Sequence, residues 1–264
     1  MTSDKPDAPD QTSTLTPEVA LHFRDQLRAA RAAALRDAEA FPDIVFVLER
    51  LGAYLIGRLG DMGQYCNEIA AIAANSPMAV DIPAKVPHFH QRFDVKYDIV
   101  RNARNSALHQ GAFARHLTSN AVELSLVVEE GIMRGHYQVG DFMVGSPVCA
   151  YLWQPLSFIR QTMLVNSFSF LPVPPTGERE TNWRLISDFR LAQYLRVDGN
   201  VSKERLAQKL EQVVESGGLE LHSADTCNTD DDIKIVLGKS KGLPAVVLSP
   251  EKQLMGILTP FDLL

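Results

Sequence analysis

The strongest constraint on this chain's fold is a change of rhythm at about Val139. Before it, apolar residues recur at helical spacing over long stretches. After it, short β-branched runs alternate with helical runs and proline becomes punctuation. Such a change predicts two regions: an all-α unit followed by an α/β unit. At 264 residues the chain is long enough for both.

Residues 1–14 are polar and rich in Pro, Asp, Thr and Ser, and read as a disordered leader. Thr16 then offers an N-cap, Pro17 a first helical residue and Glu18 a first-turn acid, so a helix is predicted from here through Leu27–Ala40. A second helix is predicted from Asp43 to about Ala74, with Leu59-Gly60-Asp61-Met62-Gly63 as the place where it kinks or splits. A proline-bearing connector follows, from Asn75 to His90. Helices are then predicted over Phe93–His109 and Phe113–Met133. Four helices over residues 15–138 make a bundle. His88 and His90 in the connector lack a third ligand within reach and are not taken as a metal site.

From 139 to 264 the elements read β-α-β-β-α twice, with a period of about 70 residues and an extra helix, Ser202–Glu215, between the copies. The first copy occupies 139–197 and the second, with its linker helix, 198–264. The predicted fold class is therefore α+β in two domains: an N-terminal four-helix bundle and a tandem β-α-β-β-α pair.

Charge narrows the function. A formal net charge of −6 does not advertise a nucleic-acid surface, so any RNA contact has to be local. Between Arg92 and Arg115 five cations (Arg92, Lys96, Arg101, Arg104, Arg115) face two acids, Asp94 and Asp98. Cys66, Cys149 and Cys227 are widely spaced, which gives neither a disulfide framework nor a zinc site and suits a reducing compartment. No apolar run approaches the roughly 18 residues that span a bilayer. With no apolar signal segment either, the expected location is the cytoplasm.

Two stretches carry chemistry. In Arg101-Asn102-Ala103-Arg104-Asn105-Ser106-Ala107-Leu108-His109-Gln110-Gly111, residues Arg101, Asn105 and His109 recur at i, i+4, i+8 on one helical face. Guanidinium, amide and imidazole side chains so placed suit a phosphate-bearing ligand, and a neutral His can move a proton near pH 7. The same residues also suit a plain helix C-terminus, where cations are favoured and Gly111 is a stop signal. The second stretch is Gly256-Ile257-Leu258-Thr259-Pro260-Phe261-Asp262. Here a buried strand ends at an N-cap Thr259 with Pro260 at the first helical position, which offers free N–H groups to phosphate. Asp262 can accept hydrogen bonds from a ribose diol, and Gly256 leaves room for a ligand or for backbone.

Arg104-Asn105-x3-His109 resembles the Arg-(Asn/Asp/His)-x3-His signature of HEPN domains, helical bundles many of which are metal-independent ribonucleases working as dimers. The resemblance implies that His109 takes the 2′-OH proton, Arg104 steadies the charge on phosphorus, and Asn105 orients the phosphate or His109, with Arg101 nearby. The products would carry 2′,3′-cyclic phosphate ends. Toxin subgroups of that family carry Tyr two places after the His, where this chain has Gly111.

Gly256-x-x-Thr259-x-x-Asp262 resembles the nucleotide motif of cystathionine-β-synthase-type (CBS) domains. So do Met143-x3-Pro147-Val148, Pro155-Leu156, Leu171-Pro172-Val173 and Leu185-Ile186-Ser187-Asp188-Phe189. The resemblance covers both repeats and implies a pseudo-twofold module holding AMP, ATP or S-adenosylmethionine. Its implied ligand residues are Gly256, Thr259, Pro260 and Asp262, with the backbone around Leu221–Ala224 and the side chains of Val246 and Val247 lining the base. In the first repeat Arg184 stands in the Gly position and Arg190 in the Asp position, while Ser187 is kept. Arg190 is then placed to reach a phosphate or to block that site.

Together these readings imply a homodimeric, cytoplasmic sensor of an adenosyl ligand whose helical domain is either a gated ribonuclease acting on RNA or a non-enzymatic docking element. Neither reading involves a membrane.

Overall fold

A computed structural model describes residues 15–106, 111–176, 182–197 and 200–264, and for residues 104–106 and 111–114 the backbone alone. The chain forms two compact units that divide between His136 and Tyr137.

The first unit is helical. Helix α1 (Pro17–Arg36) starts as its sequence dictates, with Thr16 Oγ1 accepting from Val19 N at 3.4 Å and Pro17 in the first turn. It stops at Asp37, whose backbone is extended and whose side-chain Oδ1 caps a single 3-10 turn, Ala38–Ala40, by accepting from Glu39 N at 3.0 Å. Helix α2 (Phe41–Ile56) ends at Gly57, which has φ +68°, a left-handed conformation that glycine adopts without strain. Asp61 then caps α3 (Met62–Ala73) by accepting from Gln64 N at 3.0 Å. The long second helix of the sequence reading is thus two helices. The short α4 (Asp81–Lys85), α5 (Phe93–Ser106) and α6 (Gly111–Ile132) complete the unit. Among the described residues its architecture is five principal helices rather than four, and the division follows from Gly57 and Asp61.

Helix α6 packs against α1, α2, α3 and α5 and is the organising element. Apolar residues at helical spacing (Leu27, Leu48, Leu51, Ile69, Leu124) are wholly buried around it. Polar ties lie between the same helices. Glu129 of α6, buried, accepts from Arg28 at 2.5 Å and Arg31 at 2.6 Å on α1, and Tyr97 of α5 donates to the Met62 carbonyl of α3 at 2.6 Å. Among the described residues no helix is long and apolar enough to cross a membrane.

The second unit opens with α7 (Val139–Phe142), β1 (Val144–Gly145), α8 (Leu156–Asn166), β2 (Phe170–Val173), β3 (Arg184–Ser187) and α9 (Asp188–Leu195). A small hairpin follows, β4 (Arg196–Val197) with β5 (Asn200–Val201), then α10 (Lys203–Ala207) and α11 (Leu210–Glu215). The second copy is β6 (His222–Ser223), β7 (Asp225–Asn228), α12 (Ile233–Lys239), β8 (Ala245–Leu248), β9 (Leu254–Leu258) and a 3-10 turn, Pro260–Leu263.

Two sheets result. In one, β7 and β8 run parallel through the α12 crossover, β9 is antiparallel to β8, and β1 closes the edge on β9. In the other, β2 and β3 are antiparallel and β6 closes the edge on β3. Ala150 N–H donates to Pro172 O at 2.8 Å, so the segment before α8 lies along β2 much as β7 lies along β8. Each repeat therefore lends its leading strand to the other repeat's sheet: β1 to the second, β6 to the first. The bridges Pro155 with Lys209 and Gln138 with Asp232 repeat the exchange at the helix starts.

Side-chain alternation sorts the core. Ile186 faces the first repeat's helices, with Leu156, Ile159 and Leu191, whereas Leu185 next to it faces the other sheet. Val247 and Leu258 face the second repeat's helices, whereas Val246 and Ile257 meet Leu185 and Trp183 between the sheets. Both faces are buried along the inner runs 171–173, 185–187, 245–247 and 256–258, which is why these strands read as largely apolar.

Candidate functional site

Gly256 is buried in β9 opposite Gly145. A Cβ there would lie 2.7 Å from Met143 Sδ and 2.9 Å from Val144 O. Of the two uses foreseen for this glycine, the structure shows the approach of backbone: it admits the strand lent by the first repeat. Three residues on, Thr259 N–H donates to Asp262 Oδ2 at 2.7 Å and Thr259 Oγ1 donates to the same oxygen at 2.8 Å. Asp262 Oδ1 has no partner among the described residues, so its lone pairs stay open to a hydroxyl donor. Pro260 and Phe261 are exposed, and Thr259 and Asp262 are half-buried. The turn that carries them is one 3-10 turn of 4 residues, too short to supply the helix-terminus field foreseen for phosphate. The polar groups that this corner presents are therefore those of the Thr–Asp pair itself.

The corresponding corner of the first repeat is built differently. Ser187, buried, caps α9 by accepting from Arg190 N at 3.2 Å, and its Oγ lies 3.3 Å from Nε2 of His222 on the lent strand β6. Arg190 turns to Glu220, with 3.4 Å between Nη2 and Oε2. Phe170 packs edge-on to the His222 ring at 6.3 Å. Glu220 was not foreseen here, and His222, inside the Leu221–Ala224 stretch expected only for its backbone, was not foreseen as a side-chain partner of Ser187, since nothing local marks residues so far along the chain as facing Ser187 and Arg190. Their only signal was the position of His222 at the start of the second repeat.

Two expected lining residues are corrected or qualified. Val246 is wholly buried against Trp183, Leu185 and Ile257, so no part of it faces a ligand. Its alternation phase in β8 points it between the sheets. Ala224 is half-buried, donates its N–H to Trp183 O at 3.0 Å, and packs on the same cluster.

In the helical unit, Arg104 and Asn105 fall in the last turn of α5, and His109 lies outside the described residues. The local basic patch is largely neutralised. Arg92 pairs with Asp94 at 3.0 Å, Arg101 with Asp98 at 3.0 Å, and Lys96, buried, pairs with Glu123 of α6 at 2.8 Å. Arg115 is exposed. No group of three His, Cys, Asp or Glu side chains able to hold a metal occurs among the described residues.

Solved structures similar to this chain include CBS proteins. A CBS domain-containing protein of unknown function from Bacillus anthracis is 18% identical over 48% of this chain and 89% of its own, with a TM-score of 0.39. A hemolysin-like protein containing a CBS domain, from Oenococcus oeni, is 14% identical over 48% and 86%, with a TM-score of 0.36. A CBS domain pair solved with 5′-methylthioadenosine and S-adenosyl-L-methionine is 15% identical over 48% and 91%, with a TM-score of 0.34. No family model matches the chain. No curated protein matches it either.

Proposed function

We propose that the C-terminal unit is a CBS-type pair that senses an adenosyl ligand (AMP, ATP or S-adenosylmethionine) at the second repeat. In this reading the helical unit serves dimerisation or partner docking and passes on the ligand's presence. One observation carries the proposal. Asp262 is fixed through one oxygen by the Thr259 N–H and hydroxyl, and its other oxygen stays open to a ribose hydroxyl. A pre-oriented carboxylate gives the selectivity that a free surface acid lacks. Transmission requires that the ligand bind two states of the protein with different affinity.

A second reading keeps the helical unit as a metal-independent ribonuclease in a homodimer, with Arg104, Asn105 and His109 at the scissile phosphate of an RNA. The place of Arg104 and Asn105 at the end of α5, beside the start of α6, favours it. The ion pairs of Arg92, Lys96 and Arg101 favour the non-enzymatic reading, because they spend on carboxylates the charge that RNA would need.

Titration calorimetry of the full chain with AMP, ATP and S-adenosylmethionine tests the first reading. Asp262→Asn keeps an acceptor for the Thr259 N–H but can place an amide donor where a ribose hydroxyl would donate. At least one of the three ligands should bind the wild type, and Asp262→Asn should weaken it about tenfold or more. Equal affinity for both proteins would sink the site assignment. Cleavage of RNA in EDTA that His109→Ala abolishes would establish the second reading.

A further inference from the structure

We propose that the outer flank of the first repeat, between α9, α10 and the loop after α11, holds a site for the phosphate group of a small phosphorylated metabolite. Here a cavity of about 290 Å³ is lined by Arg190, Gln193, Tyr194, Arg205, Gly218 and Glu220, among others. It shares no lining residue with Thr259 and Asp262, and the inference does not depend on the adenosyl reading.

Arg205 is the fixed element. Its Nη1 donates to the Tyr194 carbonyl at 2.5 Å, and its guanidinium carbon sits 4.8 Å from the centre of the Tyr194 ring. That ring is held in turn, because the Tyr194 hydroxyl donates to Gln208 Oε1 at 2.6 Å. Arg205 has no carboxylate partner among the described residues, and its Nε–H and Nη2 hydrogens remain unused there. A guanidinium held in place with free donors has its ordering cost already met, which is what a phosphate-binding fork requires. Gly218 makes room: a Cβ there would lie 2.8 Å from the Tyr194 ring, so any side chain would displace the ring on which Arg205 rests.

Arg190 is the second cation on the wall. Its carboxylate partner, Glu220, lies 3.4 Å away, and the Glu220 side chain is 79% exposed. A pair this long and this open is worth little in water. An incoming dianion can displace Glu220 and meet both guanidiniums. Two Arg against one Glu leave a net positive charge on the wall, and Gln193 adds an amide donor.

The test uses the full chain at constant ionic strength, titrated with inorganic phosphate and separately with glycerol 3-phosphate, followed by phosphorus NMR. Saturable binding is expected for the wild type. Arg205→Gln and Arg190→Gln should each weaken it about fivefold or more, and Glu220→Gln should tighten it about threefold. A purely structural role for Arg205 would leave the Glu220→Gln effect absent. Tighter binding of the ester than of inorganic phosphate would identify a metabolite as the ligand, and the reverse order would identify free phosphate. The proposal is overturned if no saturation is seen below about 50 mM, or if Arg190→Gln, a change at the surface, leaves binding intact. It is overturned as well if Asp262→Asn abolishes the binding, which would move the phosphate to the second repeat.

Discussion

The two repeats of the C-terminal unit share a backbone plan and differ in how each holds the hydroxyl at its strand end. In the second repeat Thr259 is held by Asp262, three residues on in the same turn, so that corner is self-contained. In the first, Ser187 meets His222, and Arg190 meets Glu220, both partners lying ahead of the second repeat's main strands. One change, Asp to Arg at the third position after the hydroxyl, separates the cases. With the acid, the turn holds one carboxylate oxygen through Thr259 and leaves the other open. With the base, it reaches outward to a carboxylate from elsewhere in the unit. A duplicated fold can thus build two chemically different corners without moving a strand.

The largest expected effect breaks what the repeats share, the exchange of edge strands. Gly256→Val would force side-chain atoms onto Met143 and the Val144 carbonyl and should cost about 2–3 kcal/mol, in the range of overpacking in cores. Gly145, its partner in register, has open space around a built Cβ, so Gly145→Ala should change stability by less than about 0.5 kcal/mol. Both tryptophans of the chain, Trp153 and Trp183, belong to this unit, so fluorescence-monitored urea unfolding reads its transition free of the helical unit. Equal midpoints for the two variants would mean that β1 is not held on β9 in solution.

Next in size is the exchange of the distinguishing residues. Asp262→Arg should abolish adenosyl binding, at least tenfold in calorimetry. Arg190→Asp should add a weaker second equivalent by giving Ser187 the partner that Thr259 has. If Arg190→Asp adds no second equivalent, the repeats differ by more than this one residue, and His222 over Ser187 is the first suspect.

A smaller difference lies in the caps. Ser187→Ala removes the acceptor of the Arg190 N–H at the start of α9 and the His222 contact together. It should cost about 1 kcal/mol by the same fluorescence readout. A neutral result would show that His222 spends its hydrogen bond on water equally well.

What the sequence revealed follows from how local each cause was. The β-α-β-β-α repeat was legible because strands such as Ala245–Leu248 are buried on both faces and so are apolar throughout. Strand β7 has no apolar signature in the sequence, because three of its four residues, Asp225, Thr226 and Asn228, are exposed and polar at a sheet edge. The linker helix expected over Ser202–Glu215 is divided at Gln208 and Lys209. Lys209 bridges to Pro155, a tertiary contact invisible to local spacing. The Thr259–Asp262 corner was legible since both partners sit in one turn, whereas Ser187–His222 was not, since the partners are far apart in sequence. Part of the neutralisation of the positive patch was hidden for the same reason: Glu123, the partner of Lys96, lies on the next long helix.

The gentlest comparison uses the cysteines in the leading segments of the two repeats. Burial pushes the thiols of both Cys149 and Cys227 up, and that of Cys227, with Asp231 and Asp225 adding to the effect, to about 11. At pH 8 a thiol at about 11 is thiolate about a hundredfold less often than one at 9.0, the ordinary value. Cys227 is also buried on the Val246 carbonyl side of β8, with 4.0 Å between Sγ and that oxygen. Iodoacetamide at pH 8 should therefore label half-buried Cys149 well before Cys227, as read by peptide mass spectrometry. The sign of the linkage gives a second readout. Folding favours the neutral thiol, so Cys227's contribution is whole below about pH 9 and is lost as pH rises toward 11. Cys227→Ser should then remove part of the alkaline loss of stability in the fluorescence transition. Labelling of Cys227 at the rate of Cys149 would mean that the second repeat's sheet opens readily, and that its self-contained corner rests on a looser frame than that of the first.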